Sequence, residues 1–285
     1  MSAHEEYYVP EASYWPIVGC FGLLGLGLGG GGYLQGMGWG IPVLLAGAVL
    51  TIAMTAGWFA DVIRERRAGL YSPQVGRSFR WGMIWFIVSE VMFFGAFFGA
   101  LFYVRIFSVP WLGGDDPATS RFLWDSVVLS WPTAGPGLAD LDFTPMGAWG
   151  LPAVNTLILL TSGLTIAIAH HAIRLGQRTR VAVFLAATVV LGVIFLGIQV
   201  YEYGHAWQDL GLRLDTGIYG SIFYLLTGFH GLHVLVGVIT LAVILGRVLA
   251  GHFTADNHFG FEAAAWYWHF VDVVWLGLFV FVYVL

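Results

Sequence analysis

The apolar positions of this chain gather into seven long runs that are separated by polar or glycine-rich stretches. A helix that crosses the hydrocarbon core of a bilayer needs about 20 mostly apolar residues. The segments that reach this length are 15–34, 40–62, 81–107, 152–173, 181–203, 218–246 and 262–285. The pattern therefore predicts an all-α integral membrane protein with seven transmembrane helices.

The composition supports this prediction and excludes several classes of mechanism. Of the 285 residues, 58% are hydrophobic and only 10% are charged, whereas about a quarter of the residues in a soluble domain are charged. All twelve basic residues are arginines, which excludes any mechanism that needs a lysine Schiff base, such as a retinal-binding pump. The single cysteine, Cys20, cannot form a disulfide framework or a cysteine metal cluster.

Glycine dominates the first apolar run, which reads GLLGLGLGGGG over residues 22–32. Small residues let helices approach closely in lipid, although each glycine weakens a helix by about 1 kcal/mol relative to alanine. We therefore expect this first helix to lie directly against a neighbouring helix.

The arginines predict how the chain is oriented. Residues 64–80 hold five arginines, residues 174–180 hold three, and Arg247 opens the polar stretch before the last run. A seven-helix topology places these nine on one side, and basic residues favour the cytoplasmic side. The absence of lysine is typical of a GC-rich bacterial genome. We therefore expect a bacterial plasma membrane, with the N-terminus cytoplasmic and the C-terminus periplasmic; the mitochondrial inner membrane is the second choice.

Five ionisable residues lie near the middle of three predicted helices. They are Glu90, His230, His233, His269 and Asp272. A helix rises about 1.5 Å per residue, which puts both carboxyl groups roughly 15 Å from the arginine-rich boundary. A lone charge in hydrocarbon is costly, so such groups should be protonated, paired or turned away from lipid. We therefore expect the three helices to share a polar interior.

Three interpretations of this polar group remain open. A b-type haem would need two facing histidines at matching depth, but His269 and His230 lie at depths of about 10 and 25 Å. A proton path would need polar steps to both surfaces, and the span that holds Glu90 has only Ser89 nearby and then nothing polar until Tyr103. In the third interpretation, the five side chains hydrogen-bond one another and lock the helices together.

A second set of residues lies at the predicted membrane boundary. Trp58, Arg64, Arg80 and Arg247 are of the types that anchor at headgroup level and meet lipid phosphates. Ordinary anchoring among mobile lipids and a tightly held phospholipid both remain open. Other polar residues near helix ends are expected to face water or headgroups: His170, His171, Glu202, Tyr203, His205, His252 and His258.

Six stretches of the sequence are long and distinctive. They are DVIRE (61–65), RWGMIWFIVSEVMFF (80–94), NTLILLTSG (155–163), AHHAI (169–173), YGSIFYLLTGFHGLHV (219–234) and HFGFEAAAWYWHFVDVVWLGLF (258–279). Together they resemble subunit III of haem-copper cytochrome c oxidase, from about Asp61 to the C-terminus. The resemblance implies a subunit without haem or copper of its own, which packs against the catalytic subunit I, supports proton uptake and protects the active site.

The resemblance also implies a division of the chain. In this family, a two-helix and a five-helix bundle are separated by a cleft that holds phospholipids. The corresponding parts here are residues 1–63, an arginine-rich linker at 64–80, and residues 81–285 with an outer loop at 108–151. Family lipid contacts match Trp58, Arg64, Glu65, Phe86 and Arg247, to which the boundary pattern adds Arg80. Glu90 matches the family's membrane carboxylate.

The expected partners follow from the same resemblance. They are subunits I and II, small accessory subunits, phospholipids, and cytochrome c as electron donor to the complex, with haem and copper in the partner subunits and no nucleic acid. Two alternatives are subunit III of a quinol oxidase, which generally has five spans, and an independent seven-helix ion or proton transporter driven by Glu90 and Asp272.

Overall fold

The computed structural model describes residues 8–9, 12–123, 129–138 and 141–285. All regular structure in these residues is helical, and seven helices are long and apolar enough to cross a membrane. The helices are α1 (Trp15–Leu34), α2 (Gly40–Arg67), α3 (Pro73–Tyr103), the short α4 (Pro117–Phe122), α5 (Leu151–Arg174), α6 (Arg178–Gln208), α7 (Gly217–Leu249) and α8 (Phe259–Leu278). The predicted all-α membrane fold with seven spans is confirmed.

The first of two compact units comprises Met1–Trp81 and contains α1 and α2. These two helices pack through facing glycines. A Cβ atom at Gly25 would lie 2.8 Å from the Cα of Gly47, and one at Gly29 would overlap the backbone of Leu44. The glycine-rich helix therefore lies directly against its neighbour, as its composition predicts.

The second unit, Gly82–Leu285, contains the rest of α3 and a ring in which α5, α6, α7 and α8 each pack against two others. Trp268 of α8 lies at the centre of this ring and is fully buried. Its indole Nε1 donates to Ser162 Oγ of α5 at 2.9 Å. Its ring packs directly on Gly192 of α6 and Gly237 of α7. A Cβ atom added at either glycine would lie 2.8 Å from the nearest atom of the ring. One side chain thus contacts all three other helices of the ring.

The helices extend beyond their predicted ends. Residues 64–80 were expected to form a linker, but α2 runs to Arg67 and α3 begins at Pro73, so only residues 68–72 are non-helical. The last span begins at Phe259, three residues before its predicted start, and a π-helical segment, Phe279–Val284, completes it inside the predicted run of 262–285. Apolar patterns measure contact with hydrocarbon, whereas a helix continues for as long as its backbone hydrogen bonds can form. The two-helix and five-helix bundles with a cleft between them stay a prediction.

The expected outer loop at 108–151 contains more helix than its composition suggests. π-Helical turns at Val104–Ser108 and Trp111–Asp115 prolong the third span, and Asp116 caps α4 by accepting from the Ala118 N–H at 3.0 Å. Backbone hydrogen bonds join residues 133–134 to the start of α7. Residues 124–128 and 139–140 of this loop lie outside the described residues.

Candidate functional site

Glu90 of α3 forms a hydrogen bond with His233 of α7. The carboxyl Oε2 and the imidazole Nε2 are 2.8 Å apart, and the side chains are 20% and 14% exposed. The other ring nitrogen, Nδ1, lies 2.7 Å from the Phe229 carbonyl, which can only accept, so Nδ1 carries a proton. Nε2 then either accepts from a protonated Glu90 or belongs to an imidazolium paired with a carboxylate. The pair carries no net charge in either case, which removes the cost of an isolated charge at this depth.

Aromatic rings surround this pair. Phe93 and Phe94 lie beside the His233 ring, with centroid distances of 5.9 and 4.9 Å. The Tyr267 hydroxyl donates to the His233 carbonyl at 3.2 Å, and Phe86 stacks on Tyr267 at 6.1 Å. The apolar enclosure holds the two polar groups together and leaves neither facing lipid alone.

The other three mid-membrane residues lie in different places. His230 is buried in the ring of helices, where Nε2 donates to the Val271 carbonyl at 3.3 Å. His269 Nδ1 lies 3.6 Å from Asp272 Oδ2. Asp272 is nearly buried and packs against Gly163 of α5, whereas the His269 side chain is 46% exposed. The five residues therefore form two pairs and a separate imidazole, rather than a single network.

This arrangement bears on the haem and metal interpretations. A bis-histidine haem would need two imidazoles that face a common space. His230 is buried inside the ring of helices, whereas the His269 side chain is 46% exposed and pairs with Asp272. Within the described ranges, the structure places no three His, Cys, Asp or Glu side chains so that they could hold a metal ion.

Boundary residues of the first unit cluster at the arginine-rich end of α2. Arg64 Nη2 lies 2.9 Å from Asp61 Oδ1, and the Arg64 side chain is 74% exposed. The Tyr71 hydroxyl donates to Glu65 Oε2 at 2.6 Å. Burial and this hydrogen bond raise the pKa of Tyr71 well above its ordinary value, so Tyr71 keeps its proton and remains a donor to Glu65. Trp58 lies more than one helical turn before Arg64 in α2 and is half exposed.

Arg247, a boundary residue of the second unit, is more enclosed than Arg64. The Arg247 guanidinium carbon lies 4.4 Å from the centroid of the Phe253 ring, a distance at which the ring face attracts the cation. A Cβ atom added at Gly260 of α8 would lie 3.0 Å from the Arg247 Nη1 atom. Arg247 therefore lies between the end of α7 and the start of α8, in contact with an aromatic ring.

Sequence reasoning missed a buried acid in α6. Glu202 was expected at an interface, but it is fully buried and accepts a hydrogen bond from the Tyr283 hydroxyl at 2.7 Å. Tyr203 was expected there too, but its hydroxyl lies 2.7 Å from Thr227 Oγ1 inside the unit. The missed signal is a stripe of buried positions along one face of α6: Thr188, Phe195, Gln199 and Glu202.

Comparison with known proteins shows the family. Residues 4–285 match the model of cytochrome c oxidase subunit III. The chain belongs to this family. Cytochrome c oxidase subunit 3 of the fish Formosania lacustris is 40% identical over 286 residues, covering 99% of this chain and 98% of its own. The wheat (Triticum aestivum) protein of the same name is 41% identical over 283 residues, covering 99% and 97%.

Membership of the subunit III family places this chain in a membrane-bound oxidase complex with other subunits. The match of residues 4–285 includes both α1 and α2. The family match favours an oxidase subunit over an independent transporter.

Proposed function

We propose that this subunit III is a non-catalytic core subunit of a proton-pumping cytochrome c oxidase, which reduces oxygen to water. It binds phospholipids, stabilises subunit I and supports proton uptake by that subunit. The full-length family match carries this proposal. Haem and copper belong to subunits I and II, cytochrome c donates the electrons, and small accessory subunits complete the complex. The arginine distribution supports a cytoplasmic N-terminus and a periplasmic C-terminus, and the absence of lysine supports a bacterial plasma membrane.

The Glu90–His233 pair supports a structural role for the membrane carboxylate. A group that passes protons needs a partner on each side, whereas among the described residues Glu90 bonds His233, whose ring lies beside Phe93 and Phe94. The pair joins α3 to α7 by a side-chain hydrogen bond. Glu90 thus holds α3 against the ring of helices next to a proton-pumping neighbour.

Glu90→Gln is expected to leave haem content and oxygen reduction largely intact, because the glutamine amide can still donate to a neutral His233. Glu90→Leu leaves the His233 Nε2 without a partner, which costs about 1–3 kcal/mol. The measurements are the haem spectrum, the turnover rate and the thermal midpoint of the purified complex for both variants. Near-complete loss of turnover in an assembled Glu90→Gln complex would instead assign Glu90 a role in proton transfer.

Arg64 and Arg247 provide two separate boundary cations for lipid phosphates, one in each unit. Guanidinium groups bind phosphates through paired hydrogen bonds. The double change Arg64→Ala, Arg247→Ala is expected to lower the number of phospholipids retained per complex and to shorten the working life of the enzyme. Native mass spectrometry counts the lipids, and progress curves give the working life.

Arg121→Ala is the matched control, since Arg121 lies beyond the third span on the side that holds few arginines. This control is expected to leave the lipid count unchanged. Equal lipid counts in the double variant and the unmodified complex would refute the assignment of these two arginines.

A further inference from the structure

Two polar side chains of α6 are buried in the second unit. Glu202 is fully buried and Gln199, almost one turn earlier on the same face, is 4% exposed. Tyr283, Tyr203 and Thr227 lie around them. The aromatic rings of Phe223 and Trp275 pack on Tyr283, with centroid distances of 5.6 and 5.9 Å. The cluster is therefore polar inside and closed by apolar rings.

The directions of the hydrogen bonds in this cluster can be assigned. The Tyr283 hydroxyl donates to Glu202 Oε1. The Thr227 hydroxyl donates to the Phe223 carbonyl at 2.6 Å, so the Tyr203 hydroxyl must donate to Thr227. Each tyrosine has used its single proton, and each tyrosine oxygen retains the capacity to accept.

Three buried atoms in the same space have no protein partner. They are Glu202 Oε2 and both polar atoms of the Gln199 amide. The Gln199 amide lies close to the hydroxyls of Tyr203 and Tyr283, but neither contact meets the distance and angle of a hydrogen bond. A buried polar atom without a partner costs about 1–3 kcal/mol, so three in one place need a common explanation.

A π-helical segment carries one residue of this cluster. Tyr283 lies in Phe279–Val284, where the last span departs from α-helical geometry. Such segments are rare and often occur at functional sites. Here the segment carries the hydroxyl that bonds Glu202.

We propose that Gln199, Glu202, Tyr203 and Tyr283 form a closed internal site that binds water. The water would accept from the Gln199 Nε2 and bond the Glu202 Oε2, and it would donate to a tyrosine oxygen. A buried water makes about three hydrogen bonds, so the three unpartnered atoms and two tyrosine oxygens suit roughly one or two molecules. The site rests on side-chain geometry alone and does not depend on the proposed function.

A density map of the intact oxidase complex, at a resolution that shows ordered water, tests this site directly. We expect a peak within hydrogen-bond distance of both the Gln199 amide and Glu202 Oε2. A dry site in which the Gln199 amide has rotated to bond Glu202 directly would overturn the proposal.

The sign of a stability change provides a second test. Gln199→Met keeps the length of the side chain but removes both polar atoms. In a hydrated site this change removes one hydrogen-bond partner of the water that also bonds Glu202, and the thermal midpoint of the complex falls. In a dry site it removes two unsatisfied atoms, and the midpoint stays the same or rises, which would contradict the proposal.

A tyrosine pair supplies the matched control. Tyr283→Phe removes the hydroxyl that bonds Glu202, whereas Tyr201→Phe removes a hydroxyl from an exposed position of the same helix as Glu202. We expect Tyr283→Phe to lower the thermal midpoint and to shift or remove the water peak, and Tyr201→Phe to change neither. Equal thermal midpoints and an unchanged water peak in both variants would contradict the proposed water site.

Discussion

Replacing Gly29 by alanine is expected to force α1 and α2 apart. A Cβ atom at this position would overlap the backbone of Leu44 and would lie 2.8 Å from the Leu44 Cβ. Backbone cannot rotate away as a flexible side chain can, so the helices must separate along their contact. Overpacking of a well-packed contact costs about 1–3 kcal/mol and occasionally more, and Gly25 and Gly47 would lose their close approach at the same time.

Gly27→Ala is the matched control for this change. The position lies on the same helix, and a Cβ atom there meets nothing within 4 Å. Alanine favours a helix by about 1 kcal/mol relative to glycine, so this variant is expected to be neutral or slightly stabilised. The measurement is the thermal midpoint of the complex together with the fraction of subunit III it retains. Equal midpoints for the two variants would show that the close α1–α2 contact does not exist.

Trp268→Ala is expected to produce the largest loss of stability in the second unit. The side chain is fully buried and contacts α5, α6 and α7 at once. Truncating a buried tryptophan costs about 3–5 kcal/mol, and here it also removes the donor to Ser162. Gly192 and Gly237 cannot fill the space, because they have no side chains that could move into it.

Two further variants distinguish the loss of the indole N–H from the loss of the buried ring. Trp268→Phe keeps an aromatic ring but removes the indole N–H, so its thermal midpoint should fall between those of Trp268→Ala and the unmodified complex. Trp85→Ala truncates the same residue type at a position that is 67% exposed and should change the midpoint little. A Trp268→Ala complex as stable as the Trp85→Ala complex would contradict the assignment of Trp268 as the central packing residue.

Much of the fold could be predicted because membrane spans follow from the lengths of apolar runs. All seven runs are helices long enough to cross a membrane, and the glycines of 22–32 indicated a helix packed closely on a neighbour. Helix ends were less predictable. Arg64 and Arg67 continue α2 beyond the apolar run, since guanidinium groups at the interface are compatible with helical backbone.

The candidate site could be predicted only in part. The cost of a mid-membrane carboxyl indicated that Glu90 has a partner, but sequence spacing cannot show that α3 meets α7 at His233. Glu202 was misplaced for a related reason. Its position near a helix end suggested an interface, whereas its burial depends on the π-helical end of the last span, which carries Tyr283 against it.

This subunit III is expected to work as part of an oxidase and not alone. Purification of the protein from its native membrane in mild detergent tests this claim most directly. We expect it to co-purify with haem-containing subunits, and the complex to oxidise cytochrome c and reduce oxygen. A colourless, monodisperse protein that transports ions by itself in liposomes would contradict the account.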